Sequence, residues 1–128
     1  MKLLLPFCAL ALVAITASCG GGGSTEYSST KSAACLAKHG VRVGHNVDFV
    51  ASTALGGAFI GHLADNFVTV SFGKTEADAN NIADAYRRFS AANVGVEDVL
   101  RQQGNAVMLW HVHPSDADVA QITNCLKS

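Results

Sequence analysis

The stretch Phe67–Asp78, FVTVSFGKTEAD, decides the fold class of this chain. In its first half, every second residue from Val68 to Phe72 is apolar, so Val68, Val70 and Phe72 lie on one side of an extended backbone. This alternation is typical of a strand with one buried face. Its last four residues, from Thr75, resemble a capping box in which an Asp takes the position of the usual Glu or Gln. The stretch therefore predicts a strand followed at once by a helix.

The helix that follows Thr75 has an apolar face. Five residues recur on that face at helical spacing: Ala79, Ile82, Ala83, Tyr86 and Phe89. We expect this face to cover a sheet. On the other side of the stretch, Ala58–Leu63 predicts a second strand, and the turn residues Ala64–Asn66 join the two strands as a hairpin.

Towards the N-terminus the pattern is less regular. A short helix is predicted over Lys31–His39, with Gly40 at the position where helices take a left-handed residue. Val41–Val43 follows as a short strand. Val47–Leu55 is apolar without a clear period, so we expect an irregular strand or loop there.

Towards the C-terminus, Val96–Arg101 predicts a weaker strand, and Ala106–Val112 is apolar on both faces, which favours a central strand. Ser115 then caps a final helix. This order predicts a small single-domain α+β sandwich over residues 31–128, with one mainly antiparallel sheet and about three helices packed chiefly on one face.

Four cysteines divide between the N-terminal region and the predicted domain. Cys35 and Cys125 are the two cysteines of the domain and lie near its two ends. An even number of cysteines in an exported chain indicates a disulfide. That disulfide would place the first and last helices on the same face of the sheet. Two buried free thiols, or a metal site shared with histidines, are the alternatives.

The beginning of the chain, MKLLLPFCALALVAITASC, has the order of a secretory signal peptide. Lys2 precedes the apolar run Leu3–Ile15, and the small residues Thr16–Ser18 lead into Cys19. The apolar run is shorter than the roughly 20 residues that a spanning helix needs.

This order resembles a bacterial lipoprotein signal, with Ile15–Cys19 as the lipobox. The resemblance implies that Cys19 carries a diacylglyceryl group and becomes the N-terminus after cleavage behind Ser18. Thr16 departs from the family pattern, which usually has Leu or another large aliphatic residue there. The alternative is a plain secreted protein, cleaved after Ala17 or Ser18 and without a lipid anchor.

The implied organisation has three parts: a signal peptide over 1–18, the lipidated Cys with a flexible Gly/Ser tether over 19–30, and the domain over 31–128. We expect an exported protein anchored by its lipid to the outer face of a bacterial membrane, in the periplasm or at the cell surface. The tether is flexible because glycine and serine dominate it.

Charge gives no indication of a nucleic-acid partner. Nine Lys and Arg residues stand against ten Asp and Glu residues, and the arginines are scattered rather than clustered. We expect a monomer without a cofactor. An envelope protein is the partner class that remains open.

Histidine supplies the most suggestive group of side chains. His111 and His113 are two residues apart, hence on one side of an extended chain, and could present two imidazoles to zinc or copper, with His62 or an Asp as a third ligand. Exposed histidines without a metal are the alternative. His39 is explained as a helix C-terminal cation and His45 as a turn residue.

No catalytic set is visible in the sequence. Asp116 and Asp118 are explained as first-turn acids of the last helix, and Ser115 lacks the Gly-x-Ser-x-Gly context of a nucleophile. The favoured hypothesis is a non-enzymatic, lipid-anchored domain with a binding or structural role in the envelope. A metal-binding protein that uses His111 and His113 is the second hypothesis, and a small anchored enzyme is the third.

Overall fold

The computed structural model describes residues 26–90 and 95–128. The predicted signal peptide, Cys19 and the first part of the predicted tether lie outside the described residues. Within the described ranges, no helix combines the length and the apolar character that crossing a membrane requires.

Five strands form one sheet in the order β1-β2-β3-β5-β4, and every neighbouring pair is antiparallel. The strands are β1 (Arg42–Gly44), β2 (Ala58–His62), β3 (Phe67–Phe72), β4 (Leu100–Gln103) and β5 (Ala106–Trp110). The helices are α1 (Ser29–Lys38), α2 (Phe49–Ser52), α3 (Glu76–Phe89), α4 (Val96–Val99) and α5 (Asp116–Thr123). The predicted α+β class, with a mainly antiparallel sheet in a small single domain, is confirmed.

One side of the sheet, the α1/α5 face, holds the larger core. Val68 pairs with Trp110 and Val70 with Met108, so these four side chains point to the same face. Leu36 and Ile122, from the two terminal helices, are buried against this cluster; the other buried members include Val41, Phe59, Phe72, Ala106, Cys125 and Leu126. The alternation predicted for β3 is what builds this core.

The opposite side, the α2/α3 face, is covered by the long helix. Ile82 and Tyr86 of α3 pack with Leu100 and Val107 of the sheet. The helices are therefore divided between both faces, whereas the sequence suggested that they pack chiefly on one. The reason is that β5 is apolar on both sides, so each face of the sheet needs its own cover.

The folded domain begins before residue 31, earlier than the expected boundary. The Tyr27 N–H donates to Asn105 Oδ1 over 2.7 Å, and Asn105 Nδ2 donates back to the Tyr27 carbonyl over 3.0 Å. The Ser28 N–H donates to the carbonyl of Lys127. Tyr27 and Ser28 thus belong to the domain and not to the tether, because their backbone groups are bound to it. Ser29 and Thr30 belong to it as the first residues of α1.

Two short helices replace irregular or extended structure expected from the sequence. Asp48 is the N-cap of α2, and its carboxylate accepts from the Ala51 N–H over 2.9 Å. α4 occupies the start of the stretch predicted as a strand, so β4 begins only at Leu100. Four-residue helices bury too little surface to leave a periodic signal in the sequence.

Cys35 and Cys125 form the expected pair. Their Sγ atoms are bonded, and the bond joins the last turns of α1 to the second residue after α5, on the α1/α5 face. Residues 26–128 thereby contain the whole sheet, both core clusters and the bond that closes them. A chain of these residues holds every element on which the described fold depends.

Candidate binding groove

A concave surface of about 860 Å³ lies on the α2/α3 face of the sheet. We call it the α2–α3 groove, bounded by residues 46–50, the C-terminal end of α3, α4 and the exposed half of the sheet. A volume of this size falls within the roughly 300–1,000 Å³ range of small-molecule sites.

The floor of the groove is a row of side chains across three strands. Thr69 of β3 lies opposite Ile60 of β2 on one side and opposite Leu109 of β5 on the other. Thr69 lies between Val68 and Val70 in β3, and Ile60 and Leu109 are its cross-strand partners, so all three side chains point away from the α1/α5 core. Strand alternation therefore creates an apolar floor with one hydroxyl at its centre.

The walls carry exposed aromatic rings. Phe49, the first residue of α2, is 78% exposed, and Phe89, the last residue of α3, is 69% exposed. Both line the groove. Phe89 was expected on the buried face of α3, but that helix ends at the groove, beyond the part that covers the sheet.

A polar pair lies in the same wall. The Tyr86 hydroxyl donates to the Asp48 carboxylate, with O–O distances of 2.9 and 3.2 Å to Oδ2 and Oδ1. Burial raises the pKa of the Tyr86 hydroxyl; the Ser71 hydroxyl opposes this effect, and the Asp48 carboxylate adds to it. Tyr86 is consequently a fixed proton donor, which holds the carboxylate at the groove in one orientation.

Aromatic stacking closes one end of the groove. The rings of Phe67 and His111 are stacked with centroids 4.4 Å apart, and the His62 ring lies 6.1 Å from that of Phe67 on its other side. His111 is exposed, and its backbone N–H donates to the Phe67 carbonyl. The stacked rings of Phe67 and His111 thus line the groove at this end.

The two histidines proposed as metal ligands have separate partners. His113 Nδ1 lies 2.7 Å from the Asp98 Oδ1, whereas His111 stacks on Phe67. The cluster of possible ligand atoms found in the described part of the chain consists of other residues: Cys35, His39 and Cys125. Zinc or copper binding by His111 and His113 stays a prediction.

The remaining sequence candidates have structural roles. Ser115 is the N-cap of α5, and its hydroxyl accepts from the Asp118 N–H over 3.1 Å. Asp116 and Asp118 both lie in the first turn of that helix, where acids are favoured. His39 is the C-cap residue of α1, in agreement with its assignment to the helix end.

Sequence reasoning did not identify the groove. Its residues come from six separate segments of the chain, and none of those segments has a motif of its own. The available signal was Asp48-Phe49, an N-cap residue followed by a large apolar one, inside a stretch that lacked a clear period.

Comparison of the chain with known protein families, with characterised proteins and with solved structures finds no match.

Proposed function

We propose that this chain is an exported, lipid-anchored binding domain that holds a small, mainly apolar molecule in the α2–α3 groove. The observation that carries the proposal is the coincidence of an 860 Å³ concavity with two exposed phenylalanines at its walls. No catalytic role is included in the proposal, which rests on the apolar part of the groove's lining.

The exposed rings of Phe49 and Phe89 support the proposal that the groove binds a ligand. Most exposed apolar residues on a small domain are scattered, whereas Phe49 and Phe89 line the same concave surface as Ile60, Phe67 and Leu109. A contiguous apolar patch of this kind is typical of a binding site. Covering it with an apolar molecule would release the water that those rings now contact.

Asp48 defines the polar end of the ligand. A carboxylate has about four acceptor positions, and three contacts with protein donors engage this one, from the Ala51 N–H and the Tyr86 hydroxyl. The carboxylate's remaining acceptor position is accessible to a ligand, because Asp48 is exposed and lines the groove. The ligand class is therefore an apolar or aromatic molecule that carries one hydrogen-bond donor, such as an amine.

The membrane part of the proposal is supported by the sequence. The charged start, the apolar run and Cys19 after three small residues are what lipid attachment requires. The Cys35–Cys125 bond suits an oxidising compartment outside the cytoplasm. Anchoring would hold the groove close to the membrane, where apolar molecules accumulate.

The test uses residues 24–128 and N-phenyl-1-naphthylamine, a neutral fluorescent probe with two aromatic groups and one N–H. We expect saturable binding with one site and a rise in probe fluorescence. Replacing both rings, as Phe49→Ala with Phe89→Ala, should weaken binding about tenfold or more, because a tenfold loss needs only about 1.4 kcal/mol of lost apolar contact.

Leu55→Ala is the matched control. Leu55 is 67% exposed, comparable to Phe89, and does not line the groove. Its removal should leave the dissociation constant unchanged. Equal weakening by the control and by the double variant, or probe binding that does not saturate, would refute the groove as the binding site.

A further inference from the structure

A third metal-binding side chain lies beside the disulfide, on the face of the sheet opposite the α2–α3 groove. The Sγ atoms of Cys35 and Cys125 and one ring nitrogen of His39 all lie within 4.8 Å of one another. Cys35 and His39 are four residues apart at the end of α1, so one helical turn brings them to the same side. The two sulfurs are bonded to each other, so the trio can act as ligands only after reduction.

His39 is already oriented as a metal ligand would be. Its Nδ1 lies 3.1 Å from the Cys35 carbonyl oxygen. A carbonyl can only accept, so Nδ1 is the donor in this contact, and in the neutral ring this assigns the lone pair to Nε2. Metal-bound histidines commonly donate their other N–H to a backbone carbonyl in this way, which fixes both the tautomer and the ring.

The backbone spacing and the free volume also fit an ion. The Cα atoms of the two cysteines are 5.4 Å apart, and two Zn–S bonds of about 2.3 Å at a tetrahedral angle need sulfurs only about 3.8 Å apart. A concavity of about 530 Å³ opens beside the trio, with Lys38 and Lys127 at its edge. The concavity leaves a coordination position open to water.

We propose that the dithiol form of this protein binds one Zn²⁺ through the Cys35 and Cys125 thiolates and His39, with water as the fourth ligand. A dithiol reductant supplies two electrons and two protons, the S–S bond breaks to give two thiols, and the reductant becomes a disulfide. Zinc then displaces the two thiol protons into solvent. The disulfide and the zinc-bound form exclude one another, so metal content reports the redox state of the domain.

The experiment compares oxidised residues 24–128 with the same protein reduced by a water-soluble phosphine, which becomes its oxide with oxygen from water. Zn²⁺ is titrated in competition with a chromophoric chelator. We expect one equivalent to bind to the reduced form, at least a hundredfold tighter than to the oxidised form. Zinc should also raise the melting temperature of the reduced form alone, because the metal binds the folded site.

His39→Ala keeps both cysteines and should weaken zinc binding at least tenfold. The matched control is His45→Ala, an exposed histidine outside the trio, and His111→Ala with His113→Ala tests the other proposed ligands. A reduced chain that loses its fold should regain its circular dichroism on addition of zinc. Equal affinity in the oxidised form or in His39→Ala, or a reduced chain that neither binds zinc nor refolds with it, would overturn the proposal.

Discussion

Gly73 shows how one missing side chain permits the turn from strand to helix. A Cβ built on it would lie 2.5 Å from the Thr75 carbonyl oxygen and 2.6 Å from the Asp78 Cβ. Backbone and a capping residue cannot move away cheaply, so Gly73→Ala should lower the free energy of unfolding by about 1–3 kcal/mol. Urea unfolding measures the loss. Gly95→Ala, where the nearest atom is 3.8 Å away, is the control and should change stability little.

Asn105 connects three segments of chain through its buried amide. Besides its two bonds to Tyr27, its Nδ2 donates to the Gly73 carbonyl over 2.8 Å. Asn105→Ala leaves those backbone groups without a partner in a buried place, which should cost about 2–4 kcal/mol in urea unfolding. Gln103→Ala, which removes one exposed bond to the Tyr27 hydroxyl, serves as the comparison. Equal losses in the two variants would contradict the bridging role.

At the scale of elements, the sequence predicted best where the signal is local. The strand β3 and the cap at Thr75 are read from neighbouring residues, and both are present, with the Thr75 hydroxyl accepting from the Asp78 N–H. The single buried face expected of β3 is wrong, because Thr69 and Ser71 are buried on its other face. α2 and α4 were missed because four residues carry no period. The face that α3 covers could not be predicted, because it depends on which strands its apolar side meets.

The first and last helices are held together by the bond between Cys35 and Cys125. It closes a loop of 90 residues, which in a chain-entropy view stabilises the fold by about 4–5 kcal/mol. We therefore expect both cysteines to be oxidised in exported protein. Mass spectrometry after alkylation without reductant should find neither labelled, and both labelled after reduction. Labelling of both without reductant in correctly exported material would remove this bond from the mature fold.

At the scale of the whole molecule, the groove is observed in the structure, whereas the anchor is predicted from the sequence. The proposed anchor would be encoded in one contiguous stretch before residue 20, so a sequence motif is enough to predict it. The groove exists only where the loop before α2, the end of α3, α4 and three strands meet. The sequence signals for it are slight: an N-cap residue followed by a large apolar one at Asp48-Phe49, and an apolar residue, Phe89, at a helix end. Sites assembled from distant segments depend on topology, which local patterns do not contain.

The prediction of a lipid anchor depends on the thiol of Cys19. Cys19→Ser nearly preserves size and polarity but removes the thiol to which a diacylglyceryl group would attach, and two or more acyl chains are what stable membrane binding requires. The unaltered protein should partition into detergent and incorporate labelled fatty acid. Cys19→Ser should lose the label and either stay uncleaved or be trimmed elsewhere and released.

Cys8→Ser is the matched control for this test, because Cys8 lies in the apolar run and would leave with the predicted signal peptide. It should keep the label and the membrane association. The domain provides an internal check, since the groove and the disulfide lie after residue 26 and should be unchanged in both variants. Cys19→Ser protein that is cut behind Ser18 and still sediments with membranes would mean that the anchor is elsewhere in the chain, and the lipoprotein assignment would be wrong.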